Sequence, residues 1–275
     1  MEISCSTIRN QILKEVKEKI ERLRITPSLA IVTCSDDEAS KIYVRNKIKT
    51  ANEVGIKVKH YNLDPERTTQ EGLQELVHNL NYHYNSVMVQ LPLDKKFDES
   101  KVLNCINSSR DCDGLTRTQR VMLEDNDSDA LVPPTAMAAF EIMNEVYRTD
   151  DFSGKDVLII SRSQLIGIPL EKLLRNHNAT VTIAHSKTRT DINDLLNHNN
   201  YQIIVSGIGK HIIDEENIRN TLIIDCGIAG KDNGKIIRDV IRSGEKSNVY
   251  AGAIGVITVA CLMRNVLECC KQQNR

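Results

Sequence analysis

Four short segments carry residue types that could do chemistry. Tyr43 and Lys47 lie four residues apart, which puts both on one face of a helix. A lysine held between an aromatic ring and a low-dielectric wall has its charged form disfavoured, so it can accept a proton or polarise a bound group. The same spacing also fits a solvated face, because Arg45, Lys47 and Lys49 are ordinary surface residues in most helices. Gln90 closes the apolar run Val87-Met88-Val89, where an amide costs free energy unless something satisfies it. Asp113, in Asp111-Cys112-Asp113-Gly114, could hold the N–H donors of a ligand, or simply start a turn, as Asp-Gly often does.

The fourth segment, Ser161-Arg162-Ser163 to Gly167-Ile168-Pro169, follows a buried apolar run, so it reads as a strand-to-helix turn. Backbone N–H groups at such a turn can hold a phosphate. It is not the Gly-x-Gly-x-x-Gly fingerprint, and Gly207-Ile208-Gly209 lacks the third glycine. The next strand ends in His185-Ser186-Lys187-Thr188 instead of an acidic residue that would take a ribose 2′-hydroxyl. With Arg162, that run suits a 2′-phosphate, so a dinucleotide bound here would be NADP rather than NAD. On local grounds a purely structural turn is the competing reading.

The elements that must position these residues alternate. Ile8, Ile12, Val16, Ile20 and Leu23 recur at helical spacing, with Ser6 or Thr7 as the cap. Leu29–Val32, Ile56–Leu63 and Val87–Leu91 read as strands; Ser40–Val54, Gln70–Leu80 and Glu99–Ile106 read as helices. The second half repeats the rhythm with β-branched runs at 157–160, 180–183, 203–205 and 222–224, the look of strands buried on both faces. Such alternation implies an α/β protein with parallel sheets, in two lobes divided near Asp125 to Ala136, where a polar run meets Pro133-Pro134. Ligands of such folds gather at the carboxyl ends of the strands, where Gln90, Ser161 to Ser163 and His185-Ser186 all fall.

Bulk properties exclude several classes. Among 275 residues, 36 Lys and Arg balance 37 Asp and Glu, leaving no global basic surface for nucleic acid. An apolar share of 40% is enough for a normal core. The longest apolar stretch, 251–263, is too short to span a bilayer and carries Gly252 and Gly255, so no membrane is expected. The start, Met1 to Cys5, has no basic region followed by an apolar core, and a cytoplasmic location is expected. Eight cysteines show no Cys-x-x-Cys pair and no clustered histidines, so reduced thiols and no metal site are expected.

In combination the segments resemble the bifunctional methylenetetrahydrofolate dehydrogenase/methenyltetrahydrofolate cyclohydrolase family, from Pro27 to the last helix. They run from Asp36 to Ser40, Tyr43-Val44 and Lys47, through Val89 to Leu93 and Asp111 to Leu115. They continue through Arg162-Ser163 to Pro169, Ala179 to Thr182, His185 to Thr188, Ile224 to Ile228, and Thr258 to Ala260. The resemblance implies a folate-binding catalytic domain at 1–135, joined by a C-terminal helix at 258–275. It also implies a Rossmann-like NADP domain at 136–257, through which the chain would form a homodimer.

By family match, Lys47 is the central catalytic group, Gln90 tunes it, Tyr43 packs against the folate and Asp113 anchors the pterin ring. Arg162 and Ser186 match the positions that hold the NADP 2′-phosphate, with Ser163, Gly167, Pro169 and Ile228 also at the cofactor. Gly252 and Ile254 fall in a loop bordering folate and nicotinamide. That loop usually reads Pro-Gly-Gly-Val-Gly-Pro and here reads Ala251-Gly252-Ala253-Ile254-Gly255-Val256. Alanine for glycine can forbid a left-handed backbone, and losing both prolines loosens the unbound loop. Ser161 and Arg238 also stand where glycine is usual, and the interlobe Pro-Cys-Thr-Pro is Pro133-Pro134-Thr135-Ala136. A monofunctional or NAD-dependent member, or a non-catalytic binding homologue, is the alternative these departures leave open.

Overall fold

The structure is a computed structural model that describes residues 2–198, 201–227, 229–232, 235–243, 246–252 and 254–273. Helix α1 (Cys5–Leu23) starts earlier than Ser6 or Thr7 would have set it. Ser4 takes the cap position instead, its hydroxyl accepting the Thr7 N–H at 3.4 Å. The expected stripe is buried at Ile8, Ile12, Val16 and Ile20.

There follow β1 (Ser28–Thr33), α2 (Glu38–Glu53), β2 (Lys57–Asn62), α3 (Gln70–Leu80), β3 (Ser86–Val89), α4 (Glu99–Leu103) and α5 (Arg117–Glu124). Helix α2 begins where the Asp37 carboxylate accepts the Ser40 N–H at 2.7 Å, and the chain leaves it through Gly55 at φ +86°. The three strands form a parallel sheet in the order β2-β1-β3, with Ala30 opposite both Lys59 and Val87. The central strand packs Ala30 and Val32 into a core with Leu73, Val77, Val87 and Val89. Strand β2, at the edge, keeps its outward residues exposed, which is why its sequence alternates.

The second half opens with α6 (Pro134–Tyr147), β4 (Asp156–Ile160), α7 (Gly167–Asn176), β5 (Thr180–Ala184), α8 (Ile192–His198), β6 (Ile203–Ser206), β7 (Ile213–Asp214) and β8 (Leu222–Asp225). It closes with β9 (Ala229–Asp232), β10 (Lys235–Ile237), β11 (Val240–Ile241), β12 (Val249–Ala251) and α9 (Gly255–Gln272). Strands β12-β8-β6-β4-β5 make one parallel sheet. Its inner strands β6 and β8 are buried at every position, matching their unbroken apolar runs.

The chain divides into two compact units, one of residues 10–134 and 259 onward, the other of residues up to Arg9 with Thr135–Thr258. This differs from a first lobe running unbroken over 1–135. The first residues join the second unit because the Ile3 N–H donates to the Tyr250 carbonyl at 2.9 Å and the Cys5 thiol to the Gly252 carbonyl at 3.1 Å. Among the described residues, no helix is long and apolar enough to cross a membrane, and no cluster of three metal-ligating side chains occurs. None of the eight cysteines is joined in a disulfide.

Candidate active site

In the first unit, Lys47 reaches from the third turn of α2 toward the end of β3. Its ammonium donates to the Gln90 side-chain oxygen at 2.9 Å and lies 4.0 Å from the Met88 sulfur. The Gln90 main-chain N–H extends the ladder to Val32 at 2.8 Å, and its side-chain amide donates to the Leu91 carbonyl at 2.6 Å. The amide at the end of an apolar strand is thus satisfied on both sides, its oxygen by the lysine and its NH₂ group by the Leu91 carbonyl. Tyr43, one turn earlier on α2, is half-buried like Lys47 and Gln90.

Asp113 arrives from a different direction. Its loop runs beside β3, with Asp111 bridged to Val87, and turns at Gly114, where φ is +65°. A side chain there would strike the Leu131 carbonyl oxygen, so the turn demands glycine for both room and conformation. Asp111 is fully buried and accepts the Thr116 N–H at 2.7 Å through one carboxylate oxygen. From α9, the Asn265 amide donates to the carbonyls of Cys112 and Val132, 2.9 Å from each. Neither Asp111 nor Asn265 stood out in the sequence as part of the site. A lone asparagine inside the apolar face of α9 was the signal available for the second.

Burial pushes the Asp113 carboxyl above its ordinary range, and the nearby Lys47 charge pulls it back down. Burial also raises Asp111 to about 6, with Asp113 adding to the rise and the Thr116 hydrogen bonds opposing it. The first unit therefore brings a lysine, an amide, a phenol and a carboxylate onto neighbouring elements.

In the second unit, a cavity of about 530 Å³ opens at the carboxyl ends of β4, β5 and β6. Arg162, His185, Ser186, Arg189 and Lys210 line it. Arg162 and Ser186, far apart in sequence, thus share one basic wall, and Arg189 and Lys210 are additions that local motifs did not reveal. Ser163, Gly167 and Pro169 shape the turn beneath instead of lining the cavity. The Ser163 hydroxyl accepts the Ile166 N–H at 3.3 Å and its carbonyl accepts the Ile168 N–H at 3.1 Å. A side chain at Gly167 would strike the Ser161 carbonyl, and Pro169 is buried in the first turn of α7, where a missing N–H costs no helical bond. Ser161 is absorbed by this turn, its hydroxyl accepting the Ser163 N–H at 3.3 Å.

Gly252 and Ile254 also lie in the second unit. Ile254 is buried, and its carbonyl accepts the N–H groups of Ile257 and Thr258 at 2.9 and 3.0 Å, opening α9. Gly252 does not occupy the left-handed region; a side chain there would sit 2.6 Å from the Tyr250 hydroxyl oxygen. The glycine serves room, not conformation. Ile228, expected at the cofactor, and Ala253, expected to constrict the loop, lie outside the described residues. Arg238 holds its charge near the Asp225 carboxyl, opposing the rise that burial and Asp239 impose there.

A parallel five-stranded sheet with a basic pocket at its strand ends, in one chain with a second parallel unit carrying Lys47, Gln90 and Asp113, defines a two-unit α/β protein of the dinucleotide-binding class. Sequence comparison gives the family. The model for the tetrahydrofolate dehydrogenase/cyclohydrolase catalytic domain matches residues 3–113, and that for the NAD(P)-binding domain of the same family matches residues 133–274. The chain belongs to the tetrahydrofolate dehydrogenase/cyclohydrolase family. The bifunctional protein FolD of Rickettsia bellii is 33% identical over 281 residues, covering 98% of each chain. The methylenetetrahydrofolate dehydrogenase/cyclohydrolase FolD of Campylobacter jejuni superposes with a TM-score of 0.91 at 28% identity over 99% of each chain. FolD of Trypanosoma brucei, solved with NADP and an inhibitor, gives 0.86 at 29% identity over 98% of this chain and 96% of that one.

Proposed function

We propose that the protein oxidises 5,10-methylenetetrahydrofolate to the 5,10-methenyl form with NADP and hydrolyses the methenyl form to 10-formyltetrahydrofolate. The observation that carries this reading is the 2.9 Å hydrogen bond from Lys47 to Gln90, on elements adjoining the buried loop of Asp113. Family membership and the bifunctional relatives support both activities.

The ring-opening step needs proton handling. Water adds to the cationic one-carbon bridge and gives up a proton. The bond to N5 then breaks as N5 takes up a proton and the new hydroxyl gives up its own to become the formyl carbonyl, so that one proton is released overall. Gln90 occupies one of the three donors of the Lys47 ammonium and so aims the rest of the group. As the amine, Lys47 takes the proton of the attacking water; as the ammonium, it returns one to the leaving nitrogen. Asp113, as a carboxylate, accepts N–H donors of the pterin ring, and the Tyr43 ring packs against it. Arg162 and Ser186 would hold a nicotinamide dinucleotide, which would supply the acceptor for the hydride that the nitrogen lone pairs drive off the methylene bridge. For that step the chain's part is positioning.

NADP is favoured over NAD because the pocket wall carries Arg162, Arg189 and Lys210 against the carboxylate of Asp191, and no carboxylate follows β5 directly. A homodimer through this unit is supported by β5, an edge strand that leaves Val181 and Ile183 only partly buried.

The test mixes purified protein with methylenetetrahydrofolate and NADP or NAD, following nucleotide reduction and methenyl decay separately. Lys47→Ala should slow enzyme-dependent methenyl decay by about a hundredfold or more while some hydride transfer persists. Survival of both activities in that variant would refute the role of Lys47. Binding of folate and NADP by the wild type without turnover would establish a non-catalytic homologue instead.

A further inference from the structure

Asp239, at the entry to β11, is fully buried. Its carboxylate accepts four hydrogen bonds from one short stretch that runs from the last residue of β6 to Lys210. The Ser206 hydroxyl and the Ile208 N–H donate to one oxygen at 2.6 and 2.8 Å; the N–H groups of Gly209 and Lys210 donate to the other at 2.8 and 2.9 Å. Three successive backbone amides curled about one point make a concavity that binds anions. Gly209, at φ +82°, permits the curl. The same loop supplies Gly207, Ile208 and Lys210 to the wall of the cavity. An open nest there would compete for the phosphates of any nucleotide entering the pocket. The chain fills it with its own carboxylate, and Gly227 leaves the room, since a side chain at 227 would strike that carboxylate.

We infer that Asp239 is a positioning residue for the dinucleotide. It plugs the anion nest of residues 208–210, so that this loop presents a preformed wall to the ligand and takes no phosphate itself. The inference rests on the reading of the cavity as the dinucleotide pocket. A neutral amide could not substitute. Asparagine keeps one oxygen for two of the donors and turns its NH₂ group toward the other two.

Amide hydrogen exchange on the wild type without cofactor tests the plug directly. The amides of Ile208, Gly209 and Lys210 should exchange about a hundredfold or more slower than open-loop amides. Open-loop rates would overturn the inference. The positioning role is tested by Asp239→Asn, with NADPH fluorescence titration and thermal melting to define the folded fraction. Binding should weaken about tenfold or more, while kcat at saturating NADP stays within about threefold. A purely structural residue would lower the melting temperature and leave affinity of the folded fraction unchanged, which would overturn the proposal. Should that variant not fold, Ser206→Ala keeps the charge and removes one donor, and an NADPH affinity equal to the wild type's would overturn it too. Wild type that binds neither NADP nor NAD would refute the dinucleotide reading and the positioning role with it; protected amides at 208–210 would mark that failure as distinct from failure of the plug.

Discussion

The side-chain amide of Asn265, near the end of the chain, donates to the carbonyl of Cys112, the residue immediately before Asp113, and to that of Val132, at 2.9 Å in each case. Both amide hydrogens are used, and all three residues are buried. The last helix therefore holds the loop that carries the candidate pterin anchor. Asn265→Leu would strand two buried carbonyls at a cost of about 1–3 kcal/mol each. We expect a fall in melting temperature of several degrees and a raised KM for folate, with NADP affinity unchanged. A lower melting point with an unaltered folate KM would show that the loop holds its place without the asparagine.

Asp111 makes stability depend on pH in the direction opposite to most paired carboxylates. Its pKa in the fold, about 6, lies above the ordinary 3.8, so the folded state binds the proton first. The folded state gains stability from it as pH falls from above 6 toward 4, with the gain complete below that range and on the order of a few kcal/mol. Asp113 and Cys112 on the same loop and the Cys269 thiol on α9 are titratable groups whose charges act on it or feel it. In urea titrations, Asp111→Asn should look more favourable relative to the wild type at pH 8 than at pH 4. A wild-type-to-variant difference that stays constant with pH would rule this out.

Tyr250 and Gly252 should behave as a coupled pair. A methyl group at 252 would meet the Tyr250 hydroxyl at 2.6 Å and its ring at 2.9 Å, while the hydroxyl itself donates to Asp225 at 3.2 Å and the Arg242 guanidinium stacks 3.9 Å from the ring centre. With the ring held on two sides, Gly252→Ala should cost about 1–3 kcal/mol. Tyr250→Val removes the obstacle, so thermal melts of the double-mutant cycle should show a coupling of about 1 kcal/mol or more. Additive effects would mean that the ring moves aside freely.

Arg162 gives the sharpest test of cofactor choice. It is exposed on the basic wall with Ser186, and a guanidinium there would pair bidentately with a 2′-phosphate. Arg162→Ala should weaken NADP by about 10- to 100-fold and barely alter NAD, as read by KM for the two nucleotides. Equal losses for both would place Arg162 against a part of the cofactor that they share.

Much of the architecture was legible in the chain because burial imposes periodicity. Helix α3 lies where Gln70–Leu80 placed it, and the strands at 157–160 and 222–224 carry the unbroken apolar runs that burial on both faces requires. The Tyr43–Lys47 face was legible for the same reason, as was the order of motifs that pointed to the family. Tertiary structure alone decided which groups meet: Gln90 as the partner of Lys47, Asn265 as the clamp on Cys112, Arg189 and Lys210 beside Arg162, and Asp239 inside the nest at 208–210. It also decided that Gly252 answers to the Tyr250 ring and not to its own backbone, and that the first residues join the second unit. Local periodicity records how each element meets water, one residue at a time. A hydrogen bond across 153 residues, such as that from Asn265 to Cys112, leaves no local trace, because its geometry exists only once α9 has packed beside that loop.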